Sequence, residues 1–176
     1  MFYVPLCHIK ICNWEDKKQL LLELFSKNEN NMSQLDTKTD FIYQKNNNKE
    51  GLYNNEVLKI LNDEIMGFKT ANNFNEVKIY SSWFEKSNLS DYHGVHNHGA
   101  IGYSAVCFIK YDSKVHTPTK FHSPFGDFLY GDMMHYLPPN IEEGSLIFFP
   151  SAIAHSTLPG KVDKDRLVLS FNLDVK

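Results

Sequence analysis

The sequence predicts a mainly β protein of the jelly-roll type with helices at its N-terminal end, and three observations carry that prediction. Apolar stripes at helical spacing are confined to the first seventy or so residues; after Asn75, short β-rich runs alternate with Gly, Pro and Asp turns; and the last run, Arg166 to Leu173, alternates strictly. Short strands with such turns favour two facing sheets that enclose a pocket.

The opening run from Phe2 to Cys12 alternates apolar residues with β-formers and is expected as a strand. A helix over Glu15 to Lys27 follows, with Leu20, Leu21, Leu24 and Phe25 as its apolar stripe. Residues 28–50 are polar and aperiodic, which predicts a long loop with a short paired piece at Phe41-Ile42-Tyr43. A second helix is expected from Asn54 to Thr70, with Val57, Leu58, Leu61, Ile65 and Phe68 on one side. The strands are then Val77 to Phe84, Ile101 to Tyr111, Leu146 to Phe149 and Leu167 to Leu173. With neither a repeat nor a linker visible, residues 1–176 are expected as a single domain. Residues 1–74 supply the first strand and the helices, and 75–176 the jelly-roll core.

A chain of 176 residues can bury roughly two-thirds of its unfolded surface. Its net charge of -3 and pI near 6.2 argue against nucleic acid as a partner, because phosphate recognition needs a concentrated basic surface. Cys7, Cys12 and Cys107 lack Cys-x-x-Cys spacing, so reduced and mostly buried thiols in a cytoplasmic setting are expected. The start carries no leader-like segment, and no apolar run approaches the roughly 20 residues that cross a bilayer, so no membrane partner is expected. Asn clusters such as Asn46-Asn47-Asn48 accompany AT-rich coding, a hint of a virus-encoded protein acting in a host cytoplasm.

The chemistry concentrates in His96-Asn97-His98, His155 and Arg166. Imidazoles two apart on an extended segment share a face, so a third brought in by folding completes a metal site, and a basic residue beyond it suits an anionic co-substrate. Phe148 to Ser151 reads as a buried strand ending in a turn that presents His155 to the first pair. Alternation puts Arg166, Val168, Ser170 and Asn172 on one face and Leu167, Leu169, Phe171 and Leu173 on the other. The bland alternatives are a surface Arg166 paired with Asp163 or Asp165, and histidines that bind nothing. His8, His116, His122 and His135 lack ligand spacing and read as surface or hydrogen-bonded groups, with His122 on a strand that could face the pocket. Trp83, Phe84 and Tyr80 read as core or pocket lining, Tyr103 and Ser104 as alternative co-substrate contacts, and Tyr130 to Pro139 as a loop over the pocket mouth.

Taken in order, Tyr92-His93-Gly94-Val95-His96-Asn97-His98, Tyr103-Ser104-Ala105-Val106, Gly144 to Ser151, His155 and Arg166 to Asn172 resemble the iron- and 2-oxoglutarate-dependent oxygenases. The nearest likeness is to small oxygenase-like sequences of bacteria and phages that end in a similar Ser-Phe-Asn; it covers roughly Val77 to Val175. The resemblance implies a cupin-like double-stranded β-helix. It also implies Fe(II) held by His96, His98 and His155, and 2-oxoglutarate held by Arg166 with Ser170 and Asn172 on the same wall. It departs from the superfamily pattern at His98, where that pattern has Asp or Glu; Asp91, Asp112 and His93 are the other candidates for the third ligand. The implied reaction consumes O2 and 2-oxoglutarate, releases succinate and CO2, and hydroxylates a protein side chain or small metabolite. The rival readings are a three-His cupin-type dioxygenase that does not use 2-oxoglutarate, and a non-catalytic jelly-roll module. The sequence names neither the primary substrate nor the oligomeric state and leaves room for a homodimer.

Overall fold

The computed structural model describes residues 4–126, 131 and 133–176. The first strand, β1 (Cys7–Lys10), is shorter than expected, because Pro5 has no N–H and the Leu6 amide closes a tight turn on the Val4 carbonyl at 2.8 Å. Phe2 and Tyr3 lie outside the described residues. Helix α1 (Trp14–Ser26) buries Leu21 and Phe25, but Leu20 is about half exposed, so the stripe is narrower than the sequence suggested.

Between residues 28 and 50 the expected loop is structured. A 3-10 turn at Glu29–Asn31 leads into a small hairpin, β2 (Ser33–Gln34) and β3 (Lys38–Thr39), followed by helix α2 (Phe41–Asn46). Pairing was expected at Phe41-Ile42-Tyr43, and those residues are helical instead. The cause is local: the Thr39 hydroxyl accepts the Phe41 amide at 3.1 Å, and the buried Asp40 carboxylate accepts the Phe84 amide at 2.9 Å, turning the chain off the sheet. Tyr53 and Gln44 also donate to Asp40. The second expected helix is two, α3 (Asn54–Ile60) and α4 (Asn62–Ala71), with a break at Leu61. Val57, Leu61, Ile65 and Phe68 remain one buried row across the break, while Leu58 is partly exposed.

The remaining strands are β4 (Val77–Ser87), β5 (His93–His96), β6 (Tyr103–Lys110), β7 (Lys120–Gly126), β8 (Met133–Tyr136), β9 (Ser145–Pro150), β10 (His155–Thr157) and β11 (Arg166–Val175). They form two facing antiparallel sheets, one of seven strands in the order β1-β9-β6-β11-β4-β3-β2 and one of four in the order β5-β10-β7-β8, the double-stranded β-helix the sequence predicted. Strand β6 begins two residues later than expected. Ile101 projects into solvent, and a Cβ on Gly102, at φ +85°, would come within 2.6 Å of the Leu173 carbonyl oxygen.

Two apolar clusters flank the large sheet. Its outer face packs on the helices through Leu21, Val57, Ile65, Phe68, Phe148 and Phe171, with the rings of Phe68 and Phe148 stacked at 4.2 Å. Its inner face meets the small sheet through Val106, Phe108, Phe121, Ile147, Phe149 and Val168. Cys107 is buried and Cys7 half-buried, but Cys12 is exposed, where its Sγ donates to the Glu64 carboxylate at 3.2 Å. No helix among the described residues is long and apolar enough to cross a membrane.

Candidate metal and co-substrate site

The small sheet places the first imidazole pair. His96 ends β5 and lies directly across from His155 at the start of β10, so the ladder itself sets the two rings 4.4 Å apart. His98 is two residues past the strand end, where its amide donates to the Ser151 carbonyl at 2.9 Å. That bond ties the His96–His98 segment to the turn before His155. One ligand atom from each of His96, His98 and His155 falls within 4.8 Å of the others.

Their protonation follows from their partners. The His96 ring Nδ1 lies 2.8 Å from the Gly94 carbonyl and that of His155 2.9 Å from the Ile153 carbonyl. A carbonyl only accepts, so each Nδ1 carries the proton and each Nε2 keeps a free lone pair. Burial, with the neighbouring imidazoles adding to it, lowers all three pKa values: His98 to about 4, His155 to about 3, and His96 below its usual value. Three neutral imidazoles with converging lone pairs are a donor set that suits a divalent iron.

Arg166 opens β11 and is buried, so the surface-pair alternative does not hold; Asp165 pairs with Lys86 at 3.0 Å instead. Its guanidinium carbon lies 5.4 Å from the centre of the Phe108 ring, and among the described residues it forms no ion pair and its Nε has no hydrogen-bond partner. A buried, unpartnered guanidinium nitrogen is costly unless an anion meets it. The narrow pocket between Arg166 and the histidines is lined also by Ser104, Thr119, Val168 and Ser170.

The other sequence candidates separate clearly. Ser170 reaches this pocket, but Asn172 borders an outer groove, its amide donating to Ser81 and accepting from Ser104. Ser104 lines the pocket, whereas Tyr103 packs against Phe68 and Phe74. Trp83 lines the pocket, Phe84 is in the helix-backed core, and Tyr80 is partly exposed beside the outer groove. Asp91 accepts from Gln34 and from the Asn88 amide, and Asp112 pairs with Lys164 at 2.7 Å, so neither faces the histidines. His8, His116 and His122 are hydrogen-bonded to Ser145, to the Lys164 carbonyl and to Ser156. Of the expected loop Tyr130 to Pro139, Tyr130 and Asp132 lie outside the described residues, and Met133–Tyr136 is strand β8.

Glu85 was missed, and His93, a candidate for the third ligand, takes a different place. Glu85 lies on the inner face of β4, opposite Val168, with its carboxylate in the pocket, and His93 stacks on His96 at 3.9 Å while its Nδ1 bonds Glu85 at 3.0 Å. Burial alone would raise the Glu85 pKa, but the His93 hydrogen bond and charge, the Trp83 indole N–H and the Arg166 charge together bring it down to about 2. The signal was present in the sequence: alternation carried one step beyond Phe84 puts Glu85 on the same face as Trp83.

On the solvent side of His98 two hollows meet. One, about 340 Å³, is walled by Leu35, Phe41, Ile42 and Trp83; the other, about 420 Å³, by Lys45, Glu50, Tyr80 and Ser81; Phe41, Asn97 and His98 border both. Phe41 and Trp83 are in edge contact at 5.1 Å, so hairpin β2–β3 and helix α2 form the far bank.

A double-stranded β-helix with three converging imidazoles at one end of its cavity and a buried guanidinium at the other defines the class of protein. Residues 81–172, just over half of the chain, match the family described as "Putative 2OG-Fe(II) oxygenase", and the chain belongs to that family. Solved structures agree at the level of fold. The viral collagen prolyl hydroxylase of Paramecium Bursaria Chlorella virus-1, solved with 2OG, is similar with a TM-score of 0.60 at 11% identity over 96% of this chain and 94% of that one. The non-heme alpha-ketoglutarate-dependent epimerase SnoN of nogalamycin biosynthesis gives 0.68 at 11% identity over 97% and 78%. An oxidoreductase of the 2OG-Fe(II) oxygenase family from Burkholderia pseudomallei gives 0.53 at 16% identity over 68% of this chain, which spans only 57% of that protein. No curated protein matches the sequence.

Proposed function

We propose that the protein is an Fe(II)- and 2-oxoglutarate-dependent hydroxylase in which His96, His98 and His155 hold the metal and Arg166 holds the distal carboxylate of the co-substrate. Family membership implies iron and 2-oxoglutarate. The observation that carries the residue assignment is the pairing of two incomplete groups across one pocket: three imidazoles with free lone pairs, and a buried guanidinium with an unpartnered Nε. When bound, the metal and co-substrate supply the oxidising chemistry, with release of succinate and CO2.

The chain's own residues do the rest. The backbone carbonyls of Gly94 and Ile153 fix which nitrogen of His96 and His155 faces the centre. Arg166 orients the co-substrate through charge-assisted hydrogen bonds, each contributing about 1.5–3 kcal/mol, and Ser170 flanks it. Phe149, Val106 and Val168 keep the pocket dry, which strengthens those bonds. The primary substrate approaches from the Phe41–Trp83 side, where the hollow beside His98 is walled mainly by apolar side chains, so an aliphatic or aromatic C–H-bearing group fits there.

Anaerobic addition of Fe(II) and then 2-oxoglutarate should produce a visible charge-transfer band, and aerobic turnover should release succinate. An iron-loaded protein with no band on adding 2-oxoglutarate would mean a metal centre that does not chelate this co-substrate, as in the cupin-type alternative. For His98→Ala we expect at least a tenfold loss of Fe(II) affinity, since removing one of three ligands forfeits more than about 1.4 kcal/mol. Unchanged metal content would take His98 out of the centre.

A further inference from the structure

The pocket holds one ionised group that the reading above leaves without a task. Glu85 is buried, and three donors converge on its carboxylate: the Trp83 indole N–H at 3.0 Å, His93 Nδ1 at 3.0 Å and, at a longer 3.4 Å, the Ser170 hydroxyl. An indole N–H can only donate, so the carboxylate is held as an acceptor. Glu85 shares the cavity with the three imidazoles and with Arg166, yet it makes no direct ion pair with that guanidinium. Its one hydrogen-bonded imidazole, His93, lies face to face with His96, the planes 16° apart.

The charge inventory gives this placement a consequence. Three neutral imidazoles bring a divalent cation no compensating charge, unlike a site with a carboxylate ligand. With the Glu85-bonded His93 in its neutral form, Arg166 and Glu85 cancel before any ligand enters, and a divalent metal and a dianionic co-substrate then cancel as well. Burial alone would lower the His93 pKa but Glu85 raises it, so affinities are compared at a pH above that raised value. Without Glu85 the same pocket would carry an excess positive charge in a medium of low dielectric, where such an excess acts over several ångströms.

We propose that Glu85 supplies, from the wall of the pocket, the negative charge that a carboxylate ligand would place on the metal, and so sets how tightly the site holds its dianionic co-substrate. The proposal rests on the metal and co-substrate assignments above. It makes Glu85 a positioning residue that strengthens metal binding and weakens anion binding. A merely structural Glu85, bracing Trp83 and His93, would move both affinities in the same direction or neither.

The test uses the intact protein under anaerobic conditions, with Fe(II) and 2-oxoglutarate affinities read separately from metal titration and from the charge-transfer band. Glu85→Gln keeps the shape and most of the hydrogen bonds; it should bind 2-oxoglutarate about tenfold more tightly and Fe(II) about tenfold more weakly, the effect of one buried charge on each. Glu85→Gln combined with His98→Asp returns a carboxylate to the site and should bring both affinities back toward the original values. Both affinities unchanged within twofold in Glu85→Gln, or both weakened, overturns the proposal. Should that variant fold poorly, Glu85→Asp decides: it keeps the charge and alters the bracing of Trp83 and His93, so both affinities should stay within about threefold of the original, and a loss of about tenfold in both shows a bracing role and sinks the idea. Absence of any charge-transfer band in the unsubstituted protein removes the metal and co-substrate reading itself, whereas a normal band with affinities unmoved in Glu85→Gln removes only the role of Glu85.

Discussion

Strand β11 has two faces that differ in what they are built to do. Leu167, Leu169, Phe171 and Leu173 point to the helices and are almost completely buried among apolar neighbours. One residue out of phase, Arg166, Val168, Ser170 and Asn172 are just as buried, but three of the four are polar and Arg166 is only partly satisfied. Burial alone therefore says nothing about which face stabilises the fold. What separates them is whether each buried group finds its partner inside the chain, and the pocket face leaves donors and lone pairs waiting for one from outside.

The sharpest way to break this contrast is to cut each face in turn. Phe171→Ala, on the helix side, should lower stability by about 3–5 kcal/mol in chemical denaturation, the cost of lost transfer energy plus a cavity between the rings of Phe148 and its neighbours. Arg166→Met, on the pocket side, should change stability by no more than about 1 kcal/mol, because a buried guanidinium with an unpartnered Nε is replaced by apolar volume while its attraction to Glu85 is lost. The same substitution should weaken 2-oxoglutarate binding by about 2 kcal/mol or more while sparing Fe(II). A stability loss in Arg166→Met as large as that in Phe171→Ala would erase the distinction between the two faces.

A smaller effect tests the helix side for its own buried charge. Glu64 on α4 is desolvated, which alone would raise its pKa, but hydrogen bonds from Lys17 and Cys12 and the Lys17 charge outweigh that and lower it from 4.5. A carboxyl depressed by folding adds stability that is fully present above its unfolded pKa and is lost as pH falls through the folded one. Denaturation midpoints should therefore fall as pH drops below 4.5, and Lys17→Met should flatten that fall, with a difference of about 1 kcal/mol. An unchanged pH profile in Lys17→Met would show that this ion pair contributes nothing measurable.

The large sheet and the helices were readable because their signals are long. The alternation of Arg166 to Leu173 set both faces of β11, and the row Val57, Leu61, Ile65 and Phe68 survived even the break between α3 and α4. The small sheet was harder: β5, β8 and β10 are three or four residues each, too short for a period of two to stand out. The turn at Thr39 and Asp40 misled for a related reason, since a side chain capturing a distant amide such as that of Phe84 leaves no local pattern. Asn172 shared the right face with Arg166 and Ser170, yet strand length carried it past the pocket to the outer groove.

Residue type and spacing along the chain were enough to establish the jelly roll, the candidate imidazoles and the polar stripe headed by Arg166, because periodicity and motif order are local properties. Whether His155 would sit across from His96, whether Arg166 would be left unpaired, and that Glu85 and His93 would stand between them depended on cross-strand register and on packing between the sheets. Those are relations between residues far apart in sequence, and only the folded chain brings them to the same few ångströms.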